Sequence, residues 1–148
     1  MSAAGSRPDR SLRRLAHAAP ARYGRRPRRL RRLAARVLRV DADDGRAYAL
    51  RCTPRSDRAF GDVLLELAWT AALRADTDIE PPEPVPARGG ALVQEAAFPD
   101  GGEPHDCLLF RWIPGAGLGQ RLTPRKARRL GGALGAAPRA RCGRKVAA

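Results

Sequence analysis

The sequence predicts an α+β fold in which hairpin-connected strands precede and follow one central helix. Residues 47–52 alternate between apolar side chains and small or charged ones, as a half-buried strand does. Residues 63–75 carry apolar side chains at helical spacing. Residues 91–98 and 106–113 are apolar runs on either side of a Gly-Gly loop, which predicts an antiparallel pair. The expected order is three strands, a helix, two strands, a linker and a last helix.

The composition allows one domain with a modest core, because the chain has 148 residues and only 5% of them are aromatic. The core should therefore consist mainly of Leu, Val and Ala. The formal net charge is +14, with 29 Lys and Arg against 15 Asp and Glu. Such a charge suggests a nucleic acid or another anionic surface as partner. Arginine beside many Ala, Gly and Pro also fits a bias toward GC-rich codons, and both explanations stay open.

The three cysteines, Cys52, Cys107 and Cys142, are widely spaced and form no Cys-x-x-Cys pair. The sequence therefore predicts neither a zinc site nor a disulfide framework. It contains no run of 18 apolar residues and no apolar signal-peptide segment. We expect a cytoplasmic protein without a membrane partner.

The N-terminal segment, residues 1–27, is basic and is expected to be partly disordered or to form a short helix. Residues 1–9 are small and polar, which is typical of a disordered terminus. A short helix is predicted over Ser11–Ala19, with Ser11 as its N-cap and Pro20 as its end.

The next segment predicts two strands, Arg28–Leu33 and Val37–Asp41, with a turn over residues 34–36. A single helix over Arg28–Val40 is the alternative, since its apolar residues also fit helical spacing. Asp44-Gly45 then predicts a hairpin into the third strand. The neighbouring aspartates are typical of turns, and no distant Glu completes a calcium loop, so no metal site is predicted.

The helix at 63–75 is the clearest element, with Asp62 able to cap its start and Glu66 as the only acid in its body. A proline-rich connector follows over residues 76–90 and is expected to be extended. The last helix is predicted to begin at Pro124 with Thr123 as its N-cap. The apolar stripe expected of the central helix consists of Leu65, Ala68, Trp69, Ala72 and Leu73.

Four stretches in this order resemble the aminoglycoside phosphotransferase family, which includes choline and homoserine kinases and has a protein-kinase-like fold. They are YALRC, ELAWTAALRADTDIEPPEPVPARGGALVQEA, CLLFRWIPG and LTPRKARRLGGAL, between about Leu30 and Leu134. The resemblance covers the N-terminal lobe only. It implies a five-stranded antiparallel sheet with a flanking helix, plus short terminal helices. The expected domains are the lobe at 28–115, a linker and helix at 116–134, and a disordered tail at 135–148.

The resemblance also implies a nucleotide site on the third strand. Ala49 would let an adenine ring lie against the sheet. Arg51 would bind the α- and β-phosphates, and Glu66 would hold that guanidinium in place. Protein kinases carry a lysine at the position of Arg51, and its ammonium group is a compact charge. The guanidinium of arginine is planar with several N–H donors, so its contacts with phosphate differ.

The linker after the fifth strand, Arg111, Trp112 and Ile113, would hydrogen-bond the adenine edge through its main chain. Trp112 also fits a core or interface aromatic, and that interpretation is preferred for its side chain. The implied cofactor is ATP with Mg²⁺.

Phosphoryl transfer in this family uses a second lobe with a His-x-Asp loop. Neither His17 nor His105 is followed two residues later by Asp. We therefore expect no catalytic residue and no metal ligand here, and a truncated lobe that is inactive alone. The acceptor is not determined. The alternative is a nucleic-acid-binding protein that uses the arginine-rich segment 22–36 to bind phosphates without sequence preference.

Overall fold

The computed structural model describes residues 10–97, 102–115 and 123–136. The disordered terminus predicted at 1–9, part of the predicted Gly-Gly loop, most of the linker after residue 115 and Cys142 lie outside the described residues. So does most of the tail predicted from residue 135, of which only the first two residues are described.

The described residues form a five-stranded antiparallel sheet with strand order β1-β2-β3-β5-β4, together with three helices. This confirms the α+β fold class, the five strands and the order of the elements. The strands are β1 (Pro27–Ala34), β2 (Val37–Ala42), β3 (Ala47–Pro54), β4 (Val93–Ala96) and β5 (His105–Arg111), and the helices are α1 (Arg10–Arg22), α2 (Phe60–Asp76) and α3 (Pro124–Ala136).

The chain divides into two compact units. One comprises Met1–Phe60 with Glu83–Trp112 and contains α1 and the sheet. The other comprises Gly61–Pro82 with Ile113–Ala148 and contains α3 and nearly all of α2. This division groups the residues differently from the predicted boundaries, which stay predictions.

The core of the first unit lies between α1 and one face of the sheet, which we call the α1 face. The alternation predicted for the third strand is confirmed, because every second residue of β2 and β3 is buried there. Leu, Val and Ala predominate, as the low aromatic content predicts. The core includes Leu15, Ala16 and Ala19 of α1, Leu38, Val40 and Ala42 of β2, Tyr48, Leu50 and Cys52 of β3, and Cys107 and Leu109 of β5.

Helix α1 is longer than predicted at both ends. It begins at Arg10, so Ser11 lies inside it, and it continues through Pro20 to Arg22. Proline lacks an N–H and removes one intrahelical hydrogen bond. In α1 its ring is fully buried, and its carbonyl accepts hydrogen bonds from the N–H groups of Tyr23 and Arg25, both at 3.0 Å. Burial of the ring offsets the missing bond, and the predicted end at Ala19 was wrong.

The first two strands form a hairpin, and the alternative helix over Arg28–Val40 is wrong. In this hairpin Arg31 lies directly opposite Arg39. The next hairpin is confirmed as well, since Gly45 adopts a φ of +77°, which glycine tolerates. Pairing of the two strands with each other and with β3 outweighs the helical spacing of their apolar residues here.

Helix α2 begins at Phe60, three residues earlier than predicted, so Asp62 lies in its first turn and is not an N-cap. Its buried side was also mispredicted. The predicted stripe included Leu65 and Trp69, which are 63% and 42% exposed. Apolar residues lie on several sides of this helix, so the spacing alone does not select one of them. The buried residues are Val63, Leu67 and Leu73.

The start of α3 is confirmed. Pro124 is its first residue, and the hydroxyl of Thr123 accepts a hydrogen bond from the N–H of Lys126 at 3.3 Å. The Thr123 carbonyl accepts from the N–H of Ala127 at 2.9 Å. Within the described ranges, no helix is both long and apolar enough to cross a membrane.

Candidate functional site

The candidate site lies on the face of the sheet opposite α1, which we call the second face. The pairing of β2 with β3 and of β3 with β5 places these residues side by side. The strands that form it are buried on the α1 face and only half-buried over most of the second face. The second face consists of Val37, Arg39 and Asp41 of β2, Ala47, Ala49 and Arg51 of β3, and Leu108 and Phe110 of β5.

Ala49 and Arg51 share this face, as the alternation of the strand predicts. Ala49 lies between Arg39 on β2 and Phe110 on β5. The guanidinium carbon of Arg51 lies 5.6 Å from the centroid of the Phe110 ring, within the range of a cation–π contact. A cation therefore stands two residues after a small side chain on the same surface. The nucleotide-binding roles of both residues stay predictions.

The end of β5 and the residue after it are held by hydrogen bonds on both sides. Arg111, which was predicted to lie in the linker after the strand, is the last residue of β5 because it still pairs with Tyr48 of β3. The N–H of Arg111 donates to the Glu83 carbonyl at 2.8 Å, and the two side chains form an ion pair at 2.8 Å. The N–H of Trp112 donates to the Ala47 carbonyl at 3.2 Å. Two N–H groups predicted to face an adenine edge therefore have partners within the protein. Contacts from this segment to a purine stay a prediction.

Arg39 is a residue of this surface that sequence reasoning missed. Its guanidinium carbon lies 4.8 Å from the centroid of the Trp112 ring, and its Nε donates to Oδ1 of Asp41 at 2.8 Å. The alternation of β2 could have placed Arg39 on the same face as Asp41. The sequence gives no signal for the contact with Trp112, which lies 73 positions further along the chain.

Two of the predicted site residues belong to the second unit. Glu66 is half-buried in α2, and Ile113 is half exposed after the end of β5. The interaction of Glu66 with Arg51 and the contact of Ile113 with adenine stay predictions.

A cluster of polar and charged side chains stabilises the start of β3, where Tyr48 belongs to the α1 face of the sheet. The Tyr48 hydroxyl donates to Oδ2 of Asp44 at 2.6 Å, and Nε of Arg25 donates to the Tyr48 hydroxyl at 2.8 Å. The hydrogen bond from Tyr48 lowers the pKa of the Asp44 carboxyl. Burial, followed by the bond to Asp44, raises the pKa of Tyr48. This cluster stabilises the hairpin and lies apart from the second face.

Two cysteines face each other inside the core. Cys52 of β3 and Cys107 of β5 are direct cross-strand partners, their Sγ atoms are 3.2 Å apart, and both are free thiols. The hydrogen bond with Cys107, and then burial, raises the pKa of the Cys52 thiol. Cys52 is therefore held as a neutral core residue. Among the described residues, no group of three or more His, Cys, Asp and Glu could hold a metal ion.

Comparisons with known proteins add one informative similarity. No protein-family model matches the chain, and no curated protein matches it in sequence. Among solved structures, the microcompartment-associated aminopropanol kinase is similar, with 28% sequence identity and a TM-score of 0.59. The match covers 70% of this chain and 32% of that kinase, so the matched part of the chain spans about a third of the kinase's length. The chain is thus related, at a coarse level, to kinase-like phosphotransferases, and its sheet and helices agree with a kinase-like N-lobe.

Proposed function

We propose that the chain is the nucleotide-binding half of a small-molecule phosphotransferase resembling the aminoglycoside phosphotransferases. The observation that carries this proposal is that Ala49 and Arg51 share the second face of a sheet that resembles part of a kinase. A small residue leaves room for a flat base, and a guanidinium two residues on suits phosphate oxygens. We place the protein in the cytoplasm.

The expected ligand is ATP with Mg²⁺, and the residue types of the second face support this expectation. Ala47 and Ala49 carry only methyl groups, against which a flat base would fit, and Arg51 carries a planar guanidinium, which suits phosphate oxygens. Mg²⁺ prefers oxygen ligands and is commonly bound through substrate phosphates. Within this chain the expected role of Arg51 is to hold the phosphates in place.

We further propose that these 148 residues do not transfer a phosphoryl group by themselves. They contain no His-x-Asp motif to position an acceptor hydroxyl, and their match covers only 32% of the similar kinase. The name of that kinase makes an amino alcohol the first acceptor to test. The alternative function, nucleic-acid binding through residues 22–36, is supported by none of the comparisons.

Replacement of Arg51 tests the proposed function. The variant Arg51→Ala should bind MgATP at least about ten-fold more weakly than the wild-type chain, because a charged hydrogen bond contributes about 1.5–3 kcal/mol. Isothermal titration calorimetry measures both affinities. Arg31→Ala is the matched control, since it removes the same charge from an exposed position on β1. Equal losses in the two variants, or no binding by the wild-type chain, would contradict the proposal.

A further inference from the structure

Arg39 and Trp112 approach each other from opposite sides of β3. Arg39 lies on β2, directly opposite Ala49. Trp112 follows β5, and its N–H donates to the Ala47 carbonyl on the other edge of β3. Neighbouring strands are about 4.8 Å apart, so the two side chains meet only by reaching over β3. The 4.8 Å between guanidinium and ring therefore places this contact over Ala47 and Ala49.

The contact explains why β3 carries small residues on the second face. Alanine presents a single methyl group, which leaves space for the arginine to cross the strand. Asp41 holds the guanidinium through its carboxylate at 2.8 Å and lies opposite Ala47, on the same surface. Indole is the best aromatic partner for a cation. Asp41, Arg39 and Trp112 therefore form one connected bridge across the strand.

The same space is where a flat base would lie against Ala49. A purine cannot contact the alanine methyl groups while the guanidinium lies above them. We propose, on the basis of the proposed function, that the contact between Arg39 and Trp112 is a gate. It is closed without nucleotide and opens when a purine base binds, and Arg39 thereby sets the affinity for the base.

The gate predicts the opposite sign from a phosphate-binding arginine. If Arg39 bound phosphate, its removal would weaken the binding of ATP. If Arg39 closes the gate, its removal should strengthen the binding of the base, because the base no longer has to break a cation–π contact. That cost corresponds to a factor of about two to five in affinity at an exposed site. Adenosine isolates the effect because it carries no phosphate.

The first measurement is equilibrium dialysis of adenosine and ATP against four chains. These are the wild type, Arg39→Ala, Arg39→Gln and Arg31→Ala. Arg39→Gln keeps most of the length of the side chain and its ability to donate to Asp41, which provides a second variant if Arg39→Ala is poorly folded. Arg31→Ala removes an equal charge from the residue directly opposite Arg39 on β1. We expect both Arg39 variants to bind adenosine about two- to five-fold more tightly than the wild type and Arg31→Ala.

The second measurement follows the contact itself. An aromatic ring shifts the NMR signals of groups that lie over its face, so the Nε–H signal of Arg39 reports the closed gate. Its open position is given by the variant Trp112→Leu. Saturating adenosine should move the wild-type signal toward that open position.

Each outcome decides between the two proposals. Tighter adenosine binding by both Arg39 variants, with movement of the Arg39 signal, supports the gate. Adenosine binding that is equal or weaker in both variants, or an Arg39 signal that stays in place at saturation, overturns the gate and leaves the proposed function standing. No binding of ATP or adenosine by any of the four chains overturns the proposed function and the gate together.

Discussion

Tyr23 joins the end of α1 to the sheet through a buried hydroxyl. This hydroxyl lies 2.6 Å from the Cys107 carbonyl and 3.0 Å from the Leu92 carbonyl, and the ring belongs to the core. Burial raises the pKa of Tyr23 well above its ordinary value of 10.0. The folded state therefore keeps this phenol neutral at a pH where the unfolded chain ionises it.

The raised pKa of Tyr23 predicts a loss of stability in alkali. Between the unfolded pKa of 10.0 and the higher folded pKa, the folded state holds one proton more than the unfolded state. The contribution of Tyr23 to the free energy of unfolding is complete below pH 10. Above pH 10 it falls by about 1.4 kcal/mol per pH unit. Urea unfolding at pH 9, 10 and 11 measures this slope. Tyr23→Phe should have a shallower slope by that amount, and parallel slopes in the two chains would contradict the assignment.

At the scale of elements, the strands were predicted because their signals are local. The alternation of residues 47–52 and Asp44-Gly45 specify β3 and its hairpin without reference to the rest of the chain. Two of the errors in the helices have long-range causes. The end of α1 depends on how Pro20 packs, and the buried side of α2 depends on contacts that a helix apolar on several sides does not specify.

In the candidate site too, features with a local signal were predicted and features that depend on long-range contacts were not. The shared face of Ala49 and Arg51 follows from a period of two and was predicted. Arg39 was missed because its contact with Trp112 depends on the register of three strands. The opposition of Cys52 and Cys107 depends on register in the same way. Side chains from distant strands can be placed together only once the sheet order is known.

Helix α1 should be an integral part of the first unit, because Leu15 is only 2% exposed within its core. Leu15→Ala should lower the free energy of unfolding by about 2–5 kcal/mol through lost burial and a new cavity. Urea denaturation followed by circular dichroism measures the loss. Leu65→Ala is the control, since Leu65 is 63% exposed and its replacement should cost less than about 0.5 kcal/mol. Similar costs for the two variants would show that α1 is not part of the core.

At the scale of the whole molecule, the proposal separates nucleotide binding from phosphoryl transfer. The 148-residue chain, incubated with MgATP and an amino alcohol, should release no more ADP than buffer alone, because it contains no His-x-Asp motif. A coupled assay for ADP measures this release. Arg51→Ala distinguishes a contaminating ATPase, whose activity the variant leaves unchanged. ADP release by the wild-type chain that is lost in this variant would contradict the proposal that the chain binds nucleotide without transferring a phosphoryl group.

The central claim is that MgATP binds to the second face of the sheet, opposite α1. The most direct test is an NMR titration of the isotope-labelled chain with MgATP, in which every amide reports its own surroundings. We expect the largest shift changes at Ala49, Arg51 and Trp112, and no change over Leu15–Ala19 of α1. Changes confined to the arginines of β1, or no change at millimolar nucleotide, would contradict the claim.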